Sequence, residues 1–287
     1  MAADSREAGG LTVYDFGRTT AYACRMDQRF SYCLYVPSGY RVDATERYGL
    51  AVVVHGTERG MAAYRDRFAD FAEANDCIVL APLFPVGITA PYELSSYKLL
   101  RAGDLHYDAV LLSMVEEVAA RYRLRSDRFL LYGFSGGGHF SHRFFYLHPE
   151  RLQGVSIGAP GVVTLLDETR DFWVGLRDFE QRFGKPLDLE ALRRVPVQMV
   201  IGAEDRETWE ITITPDDPWW MEGADLAGAN RQDRMRALKA SFEAEGIAVR
   251  HDLVPGAGHD GSAVVEPVKA FFAAVLAGDQ AGVEVVR

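Results

Sequence analysis

The sequence predicts an α/β fold, a mostly parallel central sheet with helices on both faces. Short, continuously apolar runs alternate along the chain with stretches of helical periodicity, the pattern of strands covered on both sides and joined by crossovers. Gly and Pro fall between these periodic segments and form no linker between two halves. The 287 residues are 48% apolar and 25% charged, without internal repeats, so one domain is expected over 1–287.

Residues 21–40, AYACRMDQRFSYCLYVPSGY, read as two strands around a short polar turn, closed by Pro37 and Gly39. GLAVVVHG (49–56) is a buried strand ending in His-Gly. MAAYRDRFADFAEAND follows, with Tyr64, Phe68, Phe71 and Ala72 at helical spacing. CIVLAPLFP (77–85) is the next buried strand, stopped by proline. Residues 104–123 place Val110, Leu111, Met114, Val115, Val118 and Tyr122 on one helical face. RFLLYG (128–133) is a third strand, GGGHFSHRFFYLH a helix, and LQGVSIGAPG (152–161) a fourth strand. VPVQMVIG (195–202) and AVRHDLVPG (248–256) add two strands, and residues 234–246 and 262–278 two helices.

Stretches 162–194 and 206–232 are too long for plain connections and are expected as excursions over one end of the sheet. Their aromatic residues, Trp173, Phe179, Trp209, Trp219 and Trp220, together with Phe84 and Tyr92, suggest a lid or an apolar pocket wall. For Trp173 and Phe179, a core within the excursion is an equal alternative. Asp216 and Asp217 before Pro218 read as turn chemistry.

The net charge of −10 disfavours nucleic acid and anionic membrane as partners. It points to a neutral or cationic small substrate. The first residues show no basic stretch followed by an apolar one, and no run approaches a membrane span, so a soluble cytoplasmic chain is expected. Cys24, Cys33 and Cys77 fit neither a disulfide framework nor a zinc set, and the seven histidines lack metal-site spacing. Neither a metal nor another cofactor is called for.

Chemistry is concentrated in FLLYGFSGGG (129–138), where Gly133-Phe134-Ser135-Gly136-Gly137 forms a G-x-S-x-G pentapeptide between a strand and a helix-compatible stretch. A strand that reverses straight into a helix leaves no room for flanking side chains, so glycine fills those places and the serine is held at the tip. The helix start adds a positive field there. A serine hydroxyl needs a base within reach and a third group to orient that base. VQMVIGAEDRE delivers Glu204 and Asp205 at a strand's C-terminal end, and LVPGAGHDG delivers His259 in a Gly-flanked loop before the last helix. His139, His142 and His148 read as packing or surface residues, His55 and His251 as structural, and His106 as exposed.

Through element order and these three motifs the chain resembles the α/β-hydrolase superfamily over roughly residues 20–278. The hG-x-x-D and G-x-G-H contexts are similar to the esterase branch with polyhydroxybutyrate depolymerases and feruloyl esterases. The resemblance implies Ser135 as nucleophile, His259 as base and Asp205 as acid, with Glu204 its rival and Asp167 a third possibility. It further implies an oxyanion hole from the amides of Gly136 and Thr57. Phe134, Trp209, Trp219 and Trp220 are the candidate substrate contacts. The implied reaction is cleavage of a carboxylic ester of a small or medium, apolar or aromatic substrate through an acyl-enzyme. A peptidase, a thioesterase or a non-hydrolytic protein on the same fold is the alternative.

Overall fold

The structure is a computed structural model that describes residues 10–279. The expected hairpin is β2 (Tyr22–Ala23) and β3 (Ser31–Val36), antiparallel, and β1 (Gly17–Arg18), which the sequence reading does not include, pairs with the far end of β3. The first two parallel strands are β4 (Gly49–Val54) and β5 (Cys77–Leu83). The helix between them breaks at Phe68 into α1 (Met61–Arg67) and α2 (Ala69–Ala74). Its periodicity survives the break, because Tyr64, Phe68, Phe71 and Ala72 are all buried.

A small hairpin, β6 (Arg101–Ala102) with β7 (Leu105–His106), takes up the start of the next expected helix, so α3 runs Tyr107–Arg121. Strand β8 (Phe129–Phe134), α4 (Gly136–Leu147) and β9 (Leu152–Gly158) follow. The first excursion holds α5 (Phe179–Phe183) and α6 (Leu189–Arg193) before β10 (Val197–Gly202). The second holds no strand and joins α7 (Arg231–Ala244), then β11 (Val249–Val254) and α8 (Val265–Ala277).

The sheet order is β1-β3-β5-β4-β8-β9-β10-β11, with β2 on β3, and every pair from β5 to β11 is parallel. All residues of β4, β8 and β10 are buried, as strands covered on both faces must be. The order reverses at β4, whose neighbours β5 and β8 lie on opposite sides. Connections diverge there and leave a crevice beyond the C-terminal ends of β4 and β8. Val54 pairs with Gly133, so the loop after β4 and the turn after β8 emerge side by side.

Trp173 and Phe179 belong to the core: both are buried, and Phe172, Phe179 and Phe183 form an aromatic group beneath the excursion. Phe84 is likewise buried, stacked on Tyr97 and Phe140, whereas Tyr92 is exposed. The three cysteines are buried and free. Among the described residues, no helix is long and apolar enough to cross a membrane.

Candidate active site

Ser135 occupies the turn between β8 and α4 with φ 55° and ψ −116°, a conformation that non-glycine residues rarely adopt. Its amide donates to the Gly158 carbonyl at 2.8 Å, which ties the turn to β9. The flanking glycines have a steric cause: a Cβ on Gly133 would collide with the Gly137 carbonyl, and one on Gly137 with the Val54 carbonyl. The free amides of the first turn of α4 surround the serine.

Asp205, just past β10, is 1% exposed and accepts from His259 Nδ1 at 2.6 Å. That bond makes Nδ1 the donor and leaves Nε2 free to take a proton. The His259 ring stacks on Phe134, centroids 4.8 Å apart. Glu204 is exposed, and what it contributes is its backbone amide, bonded to the Ala257 carbonyl at 2.8 Å. Between the two carboxylates the geometry therefore favours Asp205. Asp167 is tied to Thr169 and Arg170 and does not line the cleft. Buried Arg231 donates to Asp205 Oδ1 at 3.3 Å and also to Glu210, joining the acid to the second excursion.

Ser135, His259, Thr57, Phe134 and Trp219 line one cleft of about 680 Å³. No hydrogen bond joins the Ser135 and His259 side chains among the described residues. Such contacts often tighten only when substrate arrives. A Cβ placed on Gly136 would lie 3.1 Å from the Thr57 amide nitrogen, so the two expected oxyanion donors are neighbours. The Thr57 loop is fixed from beneath by His55, whose Nδ1 donates to the Gly56 carbonyl at 2.8 Å while Nε2 accepts from the Phe84 amide at 3.0 Å. Burial pushes this imidazole down to about 4, so it is neutral near pH 7. Arg59 adds donors to the Thr57 and Leu94 carbonyls at 2.5 and 2.6 Å.

Two expected substrate contacts need correction. Trp209 is 74% exposed with its indole bonded to Glu207, and Trp220 is 46% exposed; neither lines the cleft. The turns of the second excursion carry these rings to its outer side, whereas Trp219 faces the cleft and accepts at its carbonyl from Trp173 Nε1 at 3.0 Å. Asp217 is the expected turn residue, accepting from the Thr214 amide at 2.7 Å.

Sequence reasoning passed over Lys98 and Arg231 and read His139 as a packing or surface residue. His139 lines the cleft one turn after Ser135, and its Nε2 accepts from the Gly161 and Val162 amides at 2.8 and 3.2 Å. Burial holds it well below the ordinary histidine range, so it is a neutral brace for the cleft wall. The only signal for it was its spacing of four from the serine. Lys98 and Arg231 lie in stretches without a motif.

No protein-family model matches the chain, and no curated protein is similar to it at a significant level. Solved structures are similar. LpqC, a poly(3-hydroxybutyrate) depolymerase from Bordetella parapertussis, is 26% identical over 91% of this chain and 94% of its own, with a TM-score of 0.69. Poly(aspartic acid) hydrolase-1 from Sphingomonas sp. KT-1 is 22% identical over 84% and 92%, with a TM-score of 0.68. An S-formylglutathione hydrolase from Agrobacterium tumefaciens is 14% identical over 93% and 97%, with a TM-score of 0.60. Sheet order and elbow together define the class, and this chain has the α/β-hydrolase fold. The enzyme expected from the sequence, a serine hydrolase of carboxylic esters, agrees with the depolymerase among these neighbours.

Proposed function

We propose that the chain cleaves a carboxylic ester by nucleophilic catalysis. Ser135 attacks the carbonyl while His259 Nε2 takes its proton, and Asp205 holds the imidazole in the required tautomer. The carbonyl oxygen becomes an anion that the amides of Gly136 and Thr57 stabilise. His259 returns the proton to the leaving alcohol, and water then attacks the acyl-enzyme by the same route in reverse.

The observation that carries this reading is the 2.6 Å contact between His259 and a 1%-exposed Asp205, in the cleft where the strained Ser135 turn opens. An ester-cleaving role also agrees with the depolymerase at 26% identity. The test is labelling by a fluorophosphonate together with turnover of 4-nitrophenyl esters. Wild type should label and turn over, and Ser135→Ala should do neither while unfolding at an unchanged temperature. Labelling without turnover of any ester would sink the proposal and favour a non-hydrolytic role.

A further inference from the structure

Lys98 stands on the cleft wall beside the elbow. A Cβ placed on Gly136 would lie 3.1 Å from its Cε, the same distance as from the Thr57 amide nitrogen, so the amine borders the oxyanion corner. Its ammonium has one partner, Ser95 Oγ at 3.2 Å, and no carboxylate pairs with it among the described residues. The two acids that act on it are committed elsewhere: Glu93 accepts from the Ser95 amide, and Glu210 from Arg231. Arg59 and Arg143 add like charge from the protein side. Burial, with that like charge, pushes the amine down to about 8, still mostly cationic at neutral pH.

A largely desolvated cation without a counterion is unfavourable unless a ligand completes it. Glu58, Glu210, Asp217 and Asp260 line the same cleft, yet none of them forms an ion pair with Lys98 among the described residues. The direction of approach identifies the part of the substrate concerned. Lys98 enters from the segment after β5, whereas His259 enters after β11, at the opposite flank of the sheet. The leaving oxygen must face His259. With the oxyanion assigned to the amides of Gly136 and Thr57, the acyl arm is the remaining part that can reach toward Lys98.

Building on the ester-cleaving reading, we infer that the substrate carries a carboxylate on its acyl arm, as in a half-ester of a dicarboxylic acid, and that Lys98 binds that carboxylate. One compact ammonium with free donors suits a monoanion better than a dianion, which would call for several donors or a bidentate guanidinium.

The experiment compares mono(4-nitrophenyl) glutarate with 4-nitrophenyl pentanoate, acyl arms of equal length, at pH 7 with Ser135→Ala as the blank for spontaneous hydrolysis. Wild type should favour the acidic ester in kcat/KM, and the preference should shrink as salt is raised, through KM. Lys98→Met should lower the ratio of acidic to neutral kcat/KM at least tenfold, and Lys98→Arg should keep most of it. A wild type that cleaves both esters without preference, or a Lys98→Met that slows both in equal proportion, would overturn the inference; the second would make the cation an aid to the oxyanion. The salt dependence of wild type decides the matter even if Lys98→Met fails to fold. A wild type that cleaves neither ester would instead count against the proposed function itself.

Discussion

Adjacent carboxylates at the end of β10 have opposite fates, and burial is what separates them. Asp205 is enclosed between His259 and Arg231, whereas Glu204 faces solvent. Asp205→Asn should lower kcat for ester cleavage by roughly 10³–10⁴, because an amide cannot hold the imidazole in the tautomer that presents a basic Nε2. Glu204→Gln should stay within about twofold, as exposed substitutions usually do. Equal losses in the two variants, measured by steady-state turnover, would undo the assignment. Ser135, His259 and Asp205, proposed as nucleophile, base and acid, were legible as candidates because each follows a strand in a recognisable residue context. Lys98 was not, since SSYK carries no motif and its meaning lies in which carboxylates fail to reach it. The overall acidity of the chain pointed to a neutral or cationic substrate, but net charge sums the whole surface and says little about one cleft wall.

The elements that position the site depend on close backbone approaches, and glycines of similar appearance differ in what they permit. A Cβ on Gly137 would overlap the Val54 carbonyl, which cannot move without disturbing β4, whereas a Cβ on Gly258, beside His259, would meet nothing within 4 Å. Gly137→Ala should therefore destabilise by about 3 kcal/mol or more and abolish turnover, because the clash is against backbone. Gly258→Ala should leave the urea midpoint within the range of ordinary surface changes. Comparable destabilisation by both would show that the pattern of glycines, and not the approach of strands, decides. The elbow glycines were readable from sequence because strand, turn and helix lie in immediate succession. The orientation of the tryptophans was not, because the second excursion lacks a periodic element to fix which ring faces inward. For the same reason the break at Phe68 was hidden, since the apolar spacing on either side of it continues the same face.

At the scale of the whole molecule, the parallel sheet was legible because strands covered on both faces must be apolar throughout. What the apolar runs conceal is the set of histidines enclosed with them. His55, His139 and His142 are buried, and burial depresses all three, His55 to about 4 and the others well below 6.5. Lys98 and Arg143 press on His139, and Arg143 on His142, in the same direction. Each ring accepts backbone amides at Nε2, from Phe84, from Gly161 and Val162, and from Thr164, so protonation would break bonds that hold the cleft loops. In the unfolded chain these rings titrate near the ordinary value, and in the folded protein below it. Above pH 6.5 neither state is protonated and stability is insensitive to them. As pH falls below 6.5 the unfolded chain gains protons that the fold refuses, so the folded state loses ground, by about 2 kcal/mol at pH 5 for His55, with His139 and His142 acting in the same direction. Urea unfolding at pH 7.5 and pH 5 should show that loss, within a window mostly above the carboxylate range. A midpoint that does not move would mean that the rings accept protons in place, and the neutral brace beside Ser135 would have to be abandoned.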